Sequence, residues 1–458
     1  MSVAAEIFKA YDIRGVVGDT LTEEVTYKIG QAIGSEIIAA GQNSIVIGRD
    51  GRLSGPTLAK ALSDGLRSTG VNVTDIGVAP SPVVYFSSYQ LKISSCVAIT
   101  GSHNPPDYNG FKIVIDGTTL SSDRIQGLRE RIENDDLNSG AGDYQEISVI
   151  DDYIARVISD VKPARPMKIV IDCGNGVAGA TAPRLFRELG CEVIDLFSEV
   201  DGNFPNHHPD PAKLENLQDL IKAVKEHDAE MGLAFDGDGD RLGVVTPKGE
   251  VVWPDRQMIL FARDVISRNP GAEIIYDVKC TRTLPAEITA AGGKATMWKT
   301  GHSFIKAKLK ETGAALAGEM SGHIFFKERW FGFDDGVYAG ARLIELLAKM
   351  DSTPQAVFDS LPNTVNTPEL QIKMQQFGEH YTFMNELAAK AEFPGETVST
   401  LDGLRVDFAD GFGLIRPSNT TPVLVLRFEA DNEAALQRIQ TQFRDLITQT
   451  RDAVELPF

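Results

Sequence analysis

At 458 residues, with 42% hydrophobic and 24% charged side chains, the chain has an ordinary globular composition and a length that calls for roughly three or four domains. A net charge of −19 argues against nucleic acid and anionic membrane as partners, and no apolar run approaches the ~18 residues of a membrane span. The four cysteines lack CxxC spacing, and the residues from Met1 to Lys9 lack the basic and apolar regions of a signal peptide, so reduced thiols and a cytoplasmic location are expected.

Residues 1–148 read as strand–helix–strand–helix–strand. Val25, Ile29, Ile33 and Ile37 recur at helical spacing, as do Leu58, Leu62 and Leu66, and strands are expected at 45–48, 71–73 and 97–100. The same order is expected over 149–250, with strands at 168–171, 192–194 and 232–235, and over 251–362, with strands at 274–276, 295–297 and 315–317. Residues 363–458 differ: 404–408 and 413–415 form a hairpin, 423–428 a strand, and Leu436, Ile439, Phe443 and Ile447 one face of a closing helix. The reading is α/β: three similar α/β domains with mixed, largely parallel sheets plus a C-terminal α+β domain. Linkers are expected within 138–144 or 162–166, then 246–254 and 352–368.

Chemistry concentrates in loops that follow strands, where α/β sheets bind ligands. After the apolar run at 231–235 come Asp236, Asp238 and Asp240, separated by Gly237 and Gly239 and followed by Arg241. Alternating carboxylates in an extended segment point one way and can cage a hard cation, Mg²⁺ or Ca²⁺ rather than zinc, and Mg²⁺ characteristically keeps open positions for phosphate oxygens. A calcium EF-hand is excluded, because Arg241 and Pro247 stand where that loop needs Gly and Glu. Ser102, in Thr100-Gly-Ser-His-Asn-Pro105, follows another strand without a Gly-x-Ser-x-Gly elbow, so a serine near a metal cage is suited to carry a phosphoryl group. His103, Lys112 and Arg14 are candidates for charge stabilisation or proton transfer. Glu319 and Ser321, in Gly318 to His323, pair a carboxylate with a hydroxyl as sugar recognition requires. Arg416, Ser418, Asn419 and Thr420 supply a guanidinium and polar donors to a loop suited to phosphate, with Arg427 as a second cation.

These four loops, in this order and spacing, resemble those of the α-D-phosphohexomutases, and within them the bacterial phosphomannomutase/phosphoglucomutase branch. The resemblance runs from Tyr11-Asp-Ile-Arg14 to the last helix, and Met320 is similar to the hexose-phosphate branch rather than the glucosamine-phosphate one. It implies four domains around a central cleft. It also implies that Ser102 is the phosphoserine, and that Ser102, Asp236, Asp238 and Asp240 form the Mg²⁺ site. Glu319 and Ser321 would bind sugar hydroxyls; Arg416, Ser418, Asn419 and Thr420 would hold the non-reacting phosphate; Tyr11, Arg241, Lys279, Gly301, His302, His323 and Arg427 would complete substrate binding. The implied reaction interconverts hexose 1-phosphate and hexose 6-phosphate, of glucose or mannose, through a hexose 1,6-bisphosphate that also acts as activator. A monomer acting on small sugar phosphates is expected. Two rival readings are a metal-dependent phosphatase and a non-catalytic sugar-phosphate sensor. Whether Lys112 or His103 is the general acid or base is left open.

Overall fold

The computed structural model describes residues 3–376, 378–452 and 454–458. The chain divides into two compact units, Met1–Gln257 with His302–Ser360 and Met258–Gly301 with Leu361–Phe458.

In the first unit one sheet orders its strands as Ile13–Val16, Tyr108–Ile115, Cys96–Ile99, Ser44–Arg49, Asn72–Val78 and Tyr144–Glu146. Ser44–Arg49 runs parallel to both Asn72–Val78 and Cys96–Ile99. Two of its helices are those the apolar spacing predicts, and two more, Ser81–Gln90 and Asp123–Glu133, are not foreseen by it. Glu23–Ala39 buries Val25, Ile29, Ile33 and Ile37, and Gly55–Arg67 buries Leu58, Leu62 and Leu66. Thr22 starts the first of these helices by accepting the Val25 amide at 3.2 Å. These side chains join one core with Ile45, Ile47, Val97 and Ile99.

A second sheet in the same unit pairs Lys168–Asp172 in parallel with Glu192–Leu196 and Met231–Phe235. Leu316–Gly318 and Ile324–Phe326 form a hairpin, and the buried helix Gly336–Lys349 follows, capped by Asp335, whose Oδ1 accepts the Tyr338 amide at 2.9 Å.

In the second unit Glu273–Asp277 and Lys294–Trp298 run parallel. The antiparallel strands Leu404–Phe408, Gly411–Pro417 and Val423–Ala430 carry the helix Glu433–Thr450, whose Leu436, Ile439, Phe443 and Ile447 pack on Phe428 and Leu426.

The sheets are mixed, as expected, and the strand after each first-unit motif returns antiparallel: Ile99 pairs with Phe111, Phe235 with Leu242 and Gly318 with Ile324. The serine, aspartate and glutamate loops therefore all sit at the turn between a strand and its antiparallel neighbour. Arg416 belongs to a strand rather than a loop, paired with Val425. The stretches expected to be linkers are structured only in part: 138–143 and 162–166 carry no helix or strand, whereas Tyr144 opens a short edge strand, Val251–Val252 pairs with Val244 and Val245, and Pro354 begins a helix at the position where its missing N–H costs nothing. Among the described residues no helix is long and apolar enough to cross a membrane.

Candidate active site

Ser102 is 1% exposed and has φ +49°, a left-handed conformation that costs a non-glycine residue about 1–2 kcal/mol. The surroundings hold it there. Its amide donates to Thr100 Oγ1 at 2.8 Å, and its Oγ lies 3.1 Å from both Asp236 Oδ2 and His103 Nδ1. The aspartate and serine loops also meet along their backbones. A Cβ on Gly237 would stand 2.3 Å from the Ser102 carbonyl oxygen, so only glycine allows this approach.

Ligand atoms of Asp236, Asp238 and Asp240 lie within 4.8 Å of one another, and all three residues are fully buried. The convergence comes from a turn, not from the alternation of an extended segment. Asp236 Oδ1 accepts the amides of Gly239 and Asp240 at 3.1 Å and of Arg241 at 3.2 Å, curling the chain around one carboxylate. Ser81 Oγ donates to Asp238 Oδ2 at 2.5 Å. Asp238 Oδ1, by contrast, is buried and meets no hydrogen-bond donor among the described residues. An oxygen left without a partner inside an all-carboxylate cluster fits a hard divalent cation.

Lys112 and Arg14 are buried, so neither is the solvated surface cation that an isolated Lys or Arg in a sequence usually proves to be. Lys112 Nζ donates to Asp238 Oδ2 at 2.6 Å and Asp240 Oδ2 at 2.5 Å. Burial works against its charge, but Asp238 and Asp240 outweigh burial and hold the ammonium protonated. Burial is also the largest influence on the three aspartates. Asp238 and Asp240 stay below the usual carboxylate range because Lys112 faces both, with His323 adding at Asp240, whereas Asp236 is driven well above it by burial and its two like-charged neighbours. Arg14 donates to Asp12 Oδ2 at 2.6 Å and to Asn104 Oδ1, which anchors it beside the serine loop.

The histidines divide by environment. Burial, then Arg241, Arg14 and Lys112, depress His103 and keep it neutral. His302, packed edge-on to Tyr11 with ring centroids 5.1 Å apart, is likewise depressed by burial. His323 is opposite: burial lowers it, but Asp240 at 3.3 Å and Glu319 at 3.0 Å raise it to about 9. As a cation it links the Glu319 carboxylate to the aspartate loop. Ser321 Oγ lies 2.9 Å from His323 Nδ1, and Arg241 Nε lies 3.8 Å from Asp236 Oδ2. The first unit thus gathers Tyr11, Arg14, Ser102, His103, Lys112, the three aspartates, Arg241, His302, Glu319, Ser321 and His323.

The second unit holds the remaining candidates. Arg416 Nε donates to Asp402 Oδ2 at 3.1 Å, and Lys279 Nζ to Glu369 Oε1 at 2.6 Å. Arg427 donates to the Lys279 carbonyl. Ser418 Oγ accepts the amides of Thr420 and Thr421 at 3.3 Å, folding the loop on itself, and Asn419 Nδ2 donates to the Thr300 carbonyl at 3.3 Å beside Gly301, which has φ +135°. Paired in this way, the cations are held in place before any ligand arrives.

Sequence reasoning missed several supporting residues. Ser81 grips Asp238, Asp334 accepts from Lys306 Nζ at 2.9 Å and lies 3.7 Å from His302, and Asp50 with Arg52 encloses the serine loop. For the last pair a signal existed, because Arg49-Asp-Gly-Arg52 also follows a buried strand's carboxyl end.

Comparison with known proteins accounts for the chain from end to end. Four domains described as phosphoglucomutase/phosphomannomutase match in order: α/β/α domain I at 5–139, domain II at 151–249, domain III at 253–365 and the C-terminal domain at 374–446. A phosphomannomutase/phosphoglucomutase of Pseudomonas aeruginosa is 56% identical over 457 residues, covering 100% of this chain and 98% of that protein. A phosphoglucomutase of Neisseria meningitidis is 55% identical over 449 residues, covering 97% of each. The crystal structure of a phosphoglucomutase/phosphomannomutase family protein from Burkholderia thailandensis superposes with a TM-score of 0.94 at 55% identity, covering 100% of both chains. The fold and the loops define an enzyme that moves a phosphoryl group within a sugar phosphate. The chain belongs to the phosphoglucomutase/phosphomannomutase family.

Proposed function

We propose that the chain interconverts the 1-phosphates and 6-phosphates of glucose and mannose, with Ser102 carrying the phosphoryl group. The observation that carries this reading is the Ser102 hydroxyl, 3.1 Å from Asp236 at the edge of a three-carboxylate cluster with an unpartnered oxygen. Phosphoserine 102 gives its phosphoryl group to the free hydroxyl of a hexose 1-phosphate, regenerating serine and forming a 1,6-bisphosphate. The other phosphoryl group then passes to the Ser102 oxygen, whose proton leaves, and hexose 6-phosphate is released. Mg²⁺, held by Asp236, Asp238 and Asp240, supplies neutralisation of phosphoryl charge when bound. Of the two proton-transfer candidates, neutral His103 lies 3.1 Å from the serine oxygen and can take that proton, whereas Lys112 is a charged partner of two carboxylates.

Glu319 and Ser321 bind sugar hydroxyls in this reading. Tyr11, Arg14, Arg241, His302 and His323 support the substrate from the first unit. Arg416, Ser418, Asn419 and Thr420, aided by Lys279, Gly301 and Arg427, bind the non-reacting phosphate. Glucose and mannose differ only at C2, so contacts to the 3- and 4-hydroxyls accept both. Hexose 1,6-bisphosphate is the activator, restoring phosphoserine lost to water. We divide the domains at 148/149, 250/251 and 362/363, near the breaks between the four family matches. The protein works as a monomer in this reading, and the four cysteines, free and buried, fit a reducing cytoplasm. A coupled assay tests the reading. Glucose 1-phosphate and mannose 1-phosphate should both turn over, faster with glucose 1,6-bisphosphate, and Ser102→Ala should abolish turnover; a Ser102→Ala protein at the wild-type rate refutes it.

A further inference from the structure

Arg52 is 2% exposed, yet its guanidinium is aimed at the serine loop. Nη2 donates to the carbonyls of Ser102 at 2.9 Å and Asn104 at 2.6 Å. Nη1 donates to the carbonyls of Pro105 at 2.5 Å and Tyr108 at 2.9 Å. Nε lies 3.3 Å from Asp50 Oδ2, and that same oxygen accepts from Thr100 Oγ1 at 2.8 Å and from the Gly101 amide at 3.2 Å. The Asp50–Arg52 pair therefore holds the backbone or side chain of residues 100, 101, 102, 104, 105 and 108. The packing leaves no slack. A Cβ on Gly101 would stand 2.3 Å from Arg52 Cζ, and the Phe204 ring covers the guanidinium with its centroid 5.4 Å from Cζ.

Four carbonyls converge on one planar fork. A lysine ammonium has three donors and no fork, so it cannot replace this arrangement. We infer that Arg52 is the positioning residue of the phosphoryl-carrying serine, a buried fork locked by Asp50 that fixes Ser102 in its left-handed conformation with Oγ against Asp236. The inference rests on the reading of Ser102 as carrier. During each cycle the group on Ser102 changes by nearly two negative charges. Those charges pull on the loop, and a displacement of about 1 Å can cost as much as 100-fold in rate. Arg52 resists the pull through the backbone, with a charge that is the same before and after transfer.

The test measures phosphorylation of dephosphorylated protein by glucose 1,6-bisphosphate, followed by intact mass. Arg52→Lys, Arg52→Met and Ser102→Ala are compared with wild type, and circular dichroism confirms that each is folded at the assay temperature. In folded Arg52→Lys and Arg52→Met, phosphorylation should slow by about 100-fold and kcat should fall with it, while KM for glucose 1-phosphate stays within about threefold. A role confined to folding would lower the melting temperature and leave the phosphorylation rate of folded protein untouched. Either folded variant phosphorylating at the wild-type rate overturns the inference. Should Arg52→Met not fold, Arg52→Lys decides; should neither fold, Asp50→Asn, which keeps the fork and removes its lock, decides by the same rate. Full activity in Ser102→Ala would defeat the carrier reading itself, whereas an inactive Ser102→Ala beside a normal Arg52→Lys defeats only the positioning role.

Discussion

Replacing Lys112 by methionine isolates the electrostatic balance of the aspartate cluster. Its ammonium bridges Asp238 at 2.6 Å and Asp240 at 2.5 Å, with both carboxylates 0% and the lysine 3% exposed. Removing one member of a buried ion pair costs about 3–5 kcal/mol because the remaining charge loses its partner, and here two carboxylates lose one. The lower bound, about 3 kcal/mol, is a change of more than a hundredfold in the opening equilibrium of the surrounding strands. A chain of several domains has no single unfolding free energy, so the assay is native-state hydrogen exchange, read on peptides covering 96–115 and 231–245 in EDTA. Exchange there should accelerate about a hundredfold in Lys112→Met, and added Mg²⁺ should reverse more of the loss than it adds to wild type, because the variant's cluster has no competing ammonium. Acceleration of less than about threefold on both peptides would show that Lys112 does not balance the cluster.

The other predictions probe separate parts of the site. Gly237→Ala forces a Cβ to within 2.3 Å of the Ser102 carbonyl oxygen, so calorimetric Mg²⁺ affinity and the rate of Ser102 phosphorylation should both drop by about tenfold or more. His323 is raised to about 9 from its ordinary 6.5. Its charge therefore stabilises the fold fully below pH 6.5, and that contribution fades as pH rises through 9. In EDTA, exchange at 231–245 should show a loss on the order of 3 kcal/mol over that range, and His323→Gln should flatten it. Arg416→Lys, facing Asp402 at 3.1 Å, keeps the charge but loses the fork. Steady-state kinetics should show KM for glucose 1-phosphate rising about tenfold or more, with kcat within about threefold.

The sequence carried the parts of this site that repeat or cluster. Asp236, Asp238 and Asp240 are visible because glycines separate like charges, an arrangement no ordinary turn needs, and helices such as Glu23–Ala39 are visible because burying one stripe imposes a period. What was hidden depends on distant partners. The sequence names Lys112 and Arg14 as candidates, but what they touch shows only once antiparallel pairing sets Ala98 opposite Lys112 and Gly110 opposite Arg14, placing both beside the serine loop. That strand was hard to foresee because Asn109 and Gly110, poor strand formers, lie within it. Arg52 stands at a buried strand's carboxyl end, a signal of position, but its role was not legible: its partners are backbone carbonyls some 50 residues on, and carbonyls leave no mark in a sequence. The aspartates were found by the wrong geometry, since a loop wound on Asp236 Oδ1 and not strand alternation brings them together.

The most direct trial follows one labelled phosphoryl group. Protein phosphorylated at Ser102 with isotopic label, freed of excess sugar, is mixed with glucose 6-phosphate and quenched within a single turnover. The label should leave Ser102 and appear in glucose 1,6-bisphosphate, then in glucose 1-phosphate, with little in inorganic phosphate. Label that stays on Ser102 while glucose 1-phosphate forms, or that goes to water alone, would contradict the account.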